Sequence, residues 1–564
     1  SVIYSKESIP RPDLTIEMED IFPSKYKRYA SKSAGRLKIT NTTNQTLSRI
    51  KIKIFVPEYM NLPTEYEVHE INPGDSKEIP LKPVFNNNIF SVDEDTPVQI
   101  EVVVEYLWRD KPQQASSVKT TTLLNKNAID WHEENSIAAF VTPRDAVVNR
   151  FSREITNMMG RIESPIENML FGIAIFSALN NMPVVYVPDP NAPFSKISKQ
   201  GILLDTVQYP ADTLCLKGGD CDDLTVLYAA CLENVGIQTA VALSPGHIFL
   251  LFNSGVSQKN ADMITLDKER YVVRDGYVWL PLEITEIGSS FFDAWEKGSQ
   301  EYNTWSKAKE LKVIDMNDAW NEYAPASLID RPQQFQMSLN EGVRETVQNN
   351  IDTLCKYQCR VKDNRIDEYV TWLKAHPEDT VVANNLGVLY ARHDLLEKAI
   401  AQFQNILVQS PQHAEAHNNL GNVYAQNGSY TLAIEEYKSA LQTSIDDGGI
   451  YFNMGLSCLL MDSEEALDCF KKSWMLCEKN DTLDCVWDID PDGKGLRGDP
   501  KNISKETIKK LLDNLYKCLE TVEEPSPQQK VIKQKRMVLK TLFAGTRGDA
   551  PFENQAVTWT LYWK

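Results

Sequence analysis

The sequence predicts a multidomain chain with an N-terminal β-sandwich, a central α+β domain and a C-terminal α-helical solenoid. Three observations predict it. Apolar and polar residues alternate over 50–56 and 100–106, the period of a half-buried strand. From about residue 131 the pattern shifts to helix-length apolar runs set between short apolar strands. After about residue 345, glycine, alanine and aromatic positions recur every 34 residues. A length of 564 residues suits three or four domains. The boundaries fall at 1–130, 131–330 and 331–480, with a helical tail and terminal strand over 481–564.

The composition is 42% hydrophobic, 24% charged and 9% aromatic, which excludes a largely disordered chain. Lys and Arg number 59 against 78 Asp and Glu, a net charge of −19. That balance argues against broad electrostatic binding of nucleic acid or an anionic membrane. The longest strongly apolar run, 169–178, is ten residues, too short to span a bilayer, so no transmembrane segment is expected. Ten cysteines are scattered without paired metal-type spacing. No cofactor is expected.

In the first domain, Ile50, Ile52, Ile54 and Val56 alternate with Lys51, Lys53 and Phe55. Ile100, Val102, Val104 and Tyr106 alternate with Glu101 and Glu105 in the same way. Between them Asn72-Pro73-Gly74-Asp75 is turn chemistry. Short alternating strands at close spacing suggest an immunoglobulin-like sandwich. It carries no catalytic cluster, and a spacer or adhesion module is the expectation.

In the second domain, Ser164-Pro165-Ile166-Glu167 has the form of a capping box ahead of an apolar helix. Four prolines over 183–193 then mark a surface loop. The sharpest motif is Lys217-Gly218-Gly219-Asp220-Cys221-Asp222-Asp223-Leu224, a glycine turn opening a helix with cysteine at its start. Helix-start amides favour a thiolate, while Asp222 and Asp223 oppose it, so the sequence leaves the sign of the shift open. The apolar strand 240–243 follows, then Pro245-Gly246-His247, which places His247 at the mouth of a second strand, 26 residues after Cys221. No other histidine lies between 133 and 375. Glu283 sits among apolar residues in a third strand over 278–285. Cys231, ten residues along the helix from Cys221, suits the core.

Cysteine at a helix start, then histidine and an acid on successive strands, resembles the transglutaminase-like cysteine hydrolase superfamily over roughly residues 140–300. The resemblance implies a papain-type α+β fold with Cys221 as nucleophile, His247 as its base and Glu283 as the group that orients His247. The family more often places Asp in the third role. Gln208 and Tyr209 are the candidates to hold the oxyanion. Cysteine-dependent amide chemistry through an acyl-enzyme follows, with hydrolysis by a peptidase or amidase first and amine transfer second.

In the third domain Leu386, Gly387, Tyr390, Ala399 and Phe403 recur 34 residues on as Leu420, Gly421, Tyr424, Ala433 and Tyr437. Gly455, Ala466 and Phe470 continue the series with one residue deleted. The set resembles the tetratricopeptide repeat, whose stacked helix pairs present a groove to protein or peptide partners. Asn384, Asn385, Asn418, Asn419 and Asn453 recur just before the glycines, where side-chain amides could clamp a peptide backbone. On that reading Asn419→Ala weakens partner capture and leaves the melting temperature nearly unchanged. His413 and His417 share a helix face without a third metal ligand.

Asp488, Asp490, Asp492 and Asp499 echo a calcium loop, but proline at its fourth position and glycine at its eighth favour an acidic turn, so no metal is expected. A non-catalytic scaffold or adaptor is the rival to the enzyme. Sandwich, thiol domain and repeats together suit a bacterial envelope protein, periplasmic or secreted. The chain begins at Ser1 rather than Met, which fits either a removed leader or a trimmed start.

Overall fold

The computed structural model describes residues 11–160, 164, 166–188, 204–328 and 341–479. The calcium-loop candidates Asp488, Asp490, Asp492 and Asp499, and the tail and terminal strand expected over 481–564, lie outside these residues. The chain divides into two compact units, one of residues up to 356 apart from 162–165, the other of those four and 357 onward.

The first unit begins with seven strands, β1 (Asp13–Met18), β2 (Gly35–Thr40), β3 (Leu47–Phe55), β4 (Thr64–Ile71), β5 (Ser76–Leu81), β6 (Thr96–Trp108) and β7 (Lys111–Leu123). They form two antiparallel sheets, in the orders β1-β2-β5 and β4-β3-β6-β7. The alternation in the sequence is the burial pattern: Ile50, Ile52, Ile54, Ile100, Val102 and Val104 are buried, and their polar neighbours face outward or sit half-buried. Arg109 and Asp110 close the β6–β7 hairpin in two residues, both at positive φ (50° and 58°), as the twist of a tight hairpin demands.

The chain then runs through β8 (Ala128–Asp130), a 3-10 segment at Trp131–Ala139, α1 (Ala146–Met159), α2 (Glu167–Asn181), β9 (Val185–Tyr186) and β10 (Leu204–Thr206). Ile166 takes the N-cap position of α2, so the helix begins two residues later than a cap at Ser164 would set it. Next come α3 (Pro210–Leu216), β11 (Gly218–Gly219), α4 (Cys221–Asn234), β12 (Thr239–Ser244), β13 (His247–Ser257), β14 (Val272–Arg274), β15 (Tyr277–Leu282), α5 (Phe291–Ala308), β16 (Lys312–Asp315) and α6 (Met316–Ala319). The central sheet is antiparallel, ordered β14-β15-β13-β12-β16. Helices α2 and α4 pack on β13, and α4 is buried along nearly its whole length, Cys231 included. Its near-continuous apolar run thus reads as a core helix rather than an amphipathic one.

One long helix, α7 (Glu341–Ala375), carries the chain into the second unit. Three helix hairpins follow: α8 (Thr380–Arg392) with α9 (Leu396–Gln409), α10 (Ala414–Gln426) with α11 (Tyr430–Thr443), and α12 (Gly448–Leu460) with α13 (Glu465–Lys479). Ile366, Tyr369, Val370 and Leu373 of α7 pack on the core of the first hairpin, so the last turns of α7 stand where a preceding second helix would. No helix among the described residues is long and apolar enough to cross a membrane.

Candidate functional site

The repeat unit explains its own signature. At Gly387 an added Cβ would lie 2.6 Å from the Phe403 ring, at Gly421 2.6 Å from the Tyr437 ring, and at Gly455 2.8 Å from the Phe470 ring. Each first helix therefore needs a hydrogen in that place for the aromatic ring of its second helix to seat. Ala399 and Ala433 are fully buried on the second helices, where larger side chains would hold the pair apart.

The asparagines differ from the expected open groove. Asn418, Asn419 and Asn453 are fully buried and Asn384 nearly so, while Asn385 is exposed. Asn419 Nδ2 donates to Asn384 Oδ1 at 2.9 Å, and Asn453 Nδ2 donates to Asn418 Oδ1 and Asn422 Oδ1, both at 3.0 Å. Asn418 Nδ2 donates to Asn419 Oδ1 at 3.0 Å, and the Tyr437 hydroxyl donates to Asn422 Oδ1 at 2.9 Å. Amides carry donor and acceptor together, so like residues on successive first helices bond to one another. Asn422 was missed by the sequence reading because it follows the glycine instead of preceding it. The histidines are structural too. His413 Nδ1 accepts from the Ala416 N–H, and His417 is held between Glu436 (2.6 Å) and the Pro411 carbonyl (3.0 Å).

The second candidate site gathers around Cys221. Asp220 caps α4, its side chain accepting the Asp223 N–H at 3.3 Å while Asp223 Oδ2 accepts the Asp220 N–H at 3.2 Å. This capping box sets Cys221 at the first helical position. His247 opens β13 after the Pro245-Gly246 turn, where Gly246 has φ +76°. Its Nε2 lies 2.5 Å from Glu283 Oε2. Glu283 is buried, and its Oε1 accepts from both the backbone N–H and the hydroxyl of Thr285, at 3.1 and 2.5 Å. The Glu283 N–H donates to the Ala294 carbonyl of α5 at 2.9 Å. Gly298 lets α5 approach, since a Cβ there would meet the Glu283 nitrogen at 2.7 Å. The sequence reading missed Thr285 and Gly298, although a threonine two residues after the acid was a readable local signal.

The structure thus brings His247 and Glu283 together and leaves His247 Nδ1 without a partner among the described residues. No hydrogen bond joins Cys221 to His247 among those residues. Burial works to lower the His247 pKa, but the Glu283 hydrogen bond and charge outweigh it and raise the imidazole above its ordinary value. For Cys221 burial dominates, and the charges of Asp222, Asp220 and Glu283 add to it, pushing the thiol up despite its helix-start position. The sign left open by the sequence is therefore against a resting thiolate. Burial also pushes Asp223 up to about 7, with the Asp220 charge next, and raises Asp222, which hydrogen-bonds Asp220.

The two oxyanion candidates are placed differently. The Tyr209 ring is fully buried and stacked on Phe140 at 5.0 Å, and its hydroxyl donates to the Lys126 carbonyl at 3.3 Å. Gln208 donates its backbone N–H and its side-chain Nε2 to Asp223, at 2.6 and 2.7 Å, so it braces the cap of α4. Cys215 is exposed and Cys221 half-buried.

The repeat geometry has a counterpart among known families. Residues 384–448 match the tetratricopeptide repeat family. No curated protein matches the chain. Among solved structures, "MamA MSR-1 C2" is 22% identical, covering 25% of this chain and 79% of its own, with a TM-score of 0.20. "Crystal structure of MamA" is 18% identical, covering 32% and 98%, with a TM-score of 0.19. A native alpha-2-macroglobulin from Escherichia coli, spanning domain MG7 to the C-terminus, is 8% identical over 83% of this chain and 62% of its own, with a TM-score of 0.15. At such scores these likenesses say nothing of function.

Proposed function

We propose that the protein is a protein-binding scaffold whose tetratricopeptide hairpins hold a polypeptide partner. The observation that carries this reading is the glycine-on-aromatic hairpin repeated three times, the first two pairs within the stretch that matches the family. Stacked hairpins of this kind form an extended surface whose stability comes from neighbours in the stack, leaving their outer positions free to vary with the partner. Val381 and Asn385, one turn apart on α8, are both exposed and offer such positions. The test is capture of partner proteins by the immobilised full chain and by a chain with Val381→Glu and Asn385→Arg. The reading expects the variant to lose those proteins while its melting temperature stays within about 2 °C, as surface changes allow. Undiminished capture would overturn this placement of the binding face.

One observation favours a second reading, the 2.5 Å contact of His247 with a buried Glu283 that Thr285 fixes in place. On this reading the first unit is a transglutaminase-like thiol amidase or peptidase and the first seven strands an immunoglobulin-like sandwich beside it. Cys221 Sγ attacks an amide carbonyl carbon as its proton passes to His247 Nδ1. The C–N bond then breaks, the imidazolium protonates the leaving amine, and water, or a second amine, takes the acyl group from sulfur. Glu283 holds the ring and stabilises the imidazolium. Because the resting thiol is protonated, proton transfer must accompany attack. Labelling of Cys221 by iodoacetamide should slow at least tenfold in His247→Ala. Equal rates in the two proteins would remove the catalytic reading and leave the scaffold.

A further inference from the structure

A short strand edge that is unpaired among the described residues runs beside Cys221. β9 pairs in parallel with β11, the two glycines that lead into the Asp220 cap, in the register Val185 with Gly218 and Tyr186 with Gly219. The Val185 and Val187 N–H groups donate to the Lys217 and Gly219 carbonyls at 3.1 and 2.8 Å. In parallel pairing the intervening residue turns its own N–H and C=O the other way. Tyr186 is that residue, and among the described residues no strand lies on its side of β9. Proline at 183 and at 188 brackets the edge, so it is too short for the open-ended pairing that makes long edges aggregate.

The side chains along this edge are apolar and exposed. Val185 is 50% exposed, Tyr186 41% and Val187 52%. Val185 and Val187 lie over Gly218, their methyl carbons 3.5 and 3.3 Å from where its Cβ would stand. Tyr186 projects to the opposite face, and burial, followed by the nearby acidic groups Cys221, Asp220, Glu283 and Asp222, raises its phenol pKa. Carboxyl groups crowd the neighbourhood. Oxygens of Asp220, Asp222 and Asp223 lie within 4.8 Å of one another, and no cationic side chain pairs with any of them among the described residues; Asp222 and Asp223 are buried and hold their protons more tightly for it, which leaves half-buried Asp220 as the member a ligand can reach.

We propose that the open edge of β9 is the docking strand for an extended polypeptide segment with apolar and basic side chains, laid across the face that carries Cys221. A peptide backbone supplies the acceptor and donor that Tyr186 presents. Its apolar side chains cover the exposed valines, and lysine or arginine meets Asp220, the half-buried member of the acidic cluster. The proposal rests on the thiol reading for what then happens to the segment, but docking itself needs no thiol.

The probe is a fluorescein-labelled octapeptide of alternating valine and lysine, its binding to the full chain followed by anisotropy. Two further versions carry N-methyl groups, one on the valine amides and one on the lysine amides. At least one of them should bind about tenfold or more weakly, because methylation removes the donors of one strand edge. Tyr186→Pro, which removes the protein's own N–H, should lose a similar factor, while Tyr186→Ala keeps the backbone and retains more binding. A valine–glutamate peptide should bind more weakly than the valine–lysine one. No binding of the unmethylated probe, or indifference to both methylated versions, overturns the proposal, and these arms need no variant that could misfold. Cys221→Ala should bind as wild type. If it does while His247→Ala leaves labelling of Cys221 unchanged, the thiol reading falls and the docking strand stands.

Discussion

The repeat hairpins and the surroundings of Cys221 both bury polar side chains, and they satisfy them by different chemistry. Between the hairpins the buried groups are neutral amides that donate and accept to one another, Asn419 to Asn384 and Asn453 to Asn418. Around Cys221 they are carboxyl groups: Asp222 and Asp223, which have no cationic partner among the described residues, and Glu283, which is held by His247 and Thr285. An amide ladder costs little because no charge leaves water. A carboxylate cluster in the same burial holds its protons to higher pH, as Asp222 and Asp223 do. The first arrangement suits a rigid stack. The second leaves a region whose charge state depends on pH and on what binds beside it.

The sharpest way to break the contrast is to move a charge into the ladder. Asn419→Asp exchanges the donor that bonds Asn384 Oδ1 for an oxygen and buries a carboxylate without a cation. A loss of about 3 kcal/mol or more in the stability of the repeat unit is expected, read by urea unfolding and by faster amide exchange in α10. Asn419→Ala should cost about 1–3 kcal/mol, the price of stranding a buried partner. This corrects the sequence-based expectation of an unaltered melting temperature. If Asn419→Asp is as stable as wild type, the ladder is not a structural bond.

Gly421→Ala comes next in size. Its Cβ would stand 2.6 Å from the Tyr437 ring and 3.1 Å from the Ala433 carbonyl, so ring or helix must shift. Overpacking of this kind costs about 1–3 kcal/mol, and Tyr437→Leu in the same chain should recover part of it by opening space for the methyl. A double variant no more stable than Gly421→Ala alone would place the strain elsewhere.

The 34-residue series made the hairpins legible, because one small residue and one ring must meet at a fixed separation in every copy. The strands of the first sheets were legible from alternation for the same reason, a local period that states which face is buried. The Cys221 region was legible in its order and not in its contacts. Glu283 and His247 stood out as an acid and a histidine on successive strands, but the pairing of β9 with β11 joins residues 33 apart with no pattern to announce it. Tyr186 was therefore invisible, and Tyr209 was misplaced because a tyrosine before a proline-led helix looks the same whether it faces a cleft or the core. Of the asparagines that stood out, Asn384, Asn418, Asn419 and Asn453 bond between repeats and Asn385 stays exposed: recurrence on one face identifies a shared neighbour, but not whether that neighbour is a partner or the next repeat.

Stability against pH tests the carboxylate side at about 1.4 kcal/mol per group. Asp223 and Glu233 both sit near 7, each raised mainly by burial. A carboxyl raised in the folded state binds its proton more tightly there than when unfolded. Its favourable contribution is full below the unfolded value, near 4, and is lost as pH rises through 7. The first unit should therefore gain about 1.4 kcal/mol per group on going from pH 8 to pH 6. Below pH 6 the gain continues until the unfolded carboxyls also protonate. The repeat unit, followed by its own amide exchange, should change less over that range. A first unit whose stability falls from pH 8 to pH 6 would mean that these carboxylates are ionised in the fold.

Asp222→Asn separates the two chemistries with the smallest expected change in stability. Asp222 is buried, holds its proton well into the alkaline direction from a free carboxyl, and hydrogen-bonds Asp220. An asparagine is close in shape to that protonated acid: Nδ2 can donate to Asp220 where the acid proton did, and Oδ1 can still accept the Asp223 N–H, now at 2.9 Å. The fold should therefore change by less than about 1 kcal/mol, within the range of a conservative replacement. The thiol should respond more. The Asp222 charge is the largest electrostatic contribution raising the Cys221 pKa after burial, so removing it makes the thiolate easier to form and speeds iodoacetamide labelling at alkaline pH, where Asp222 in the wild type would otherwise ionise. A variant that labels no faster than wild type at pH 9, with its fold intact, would show that burial alone sets the thiol, and that the carboxylates around it do not tune its chemistry.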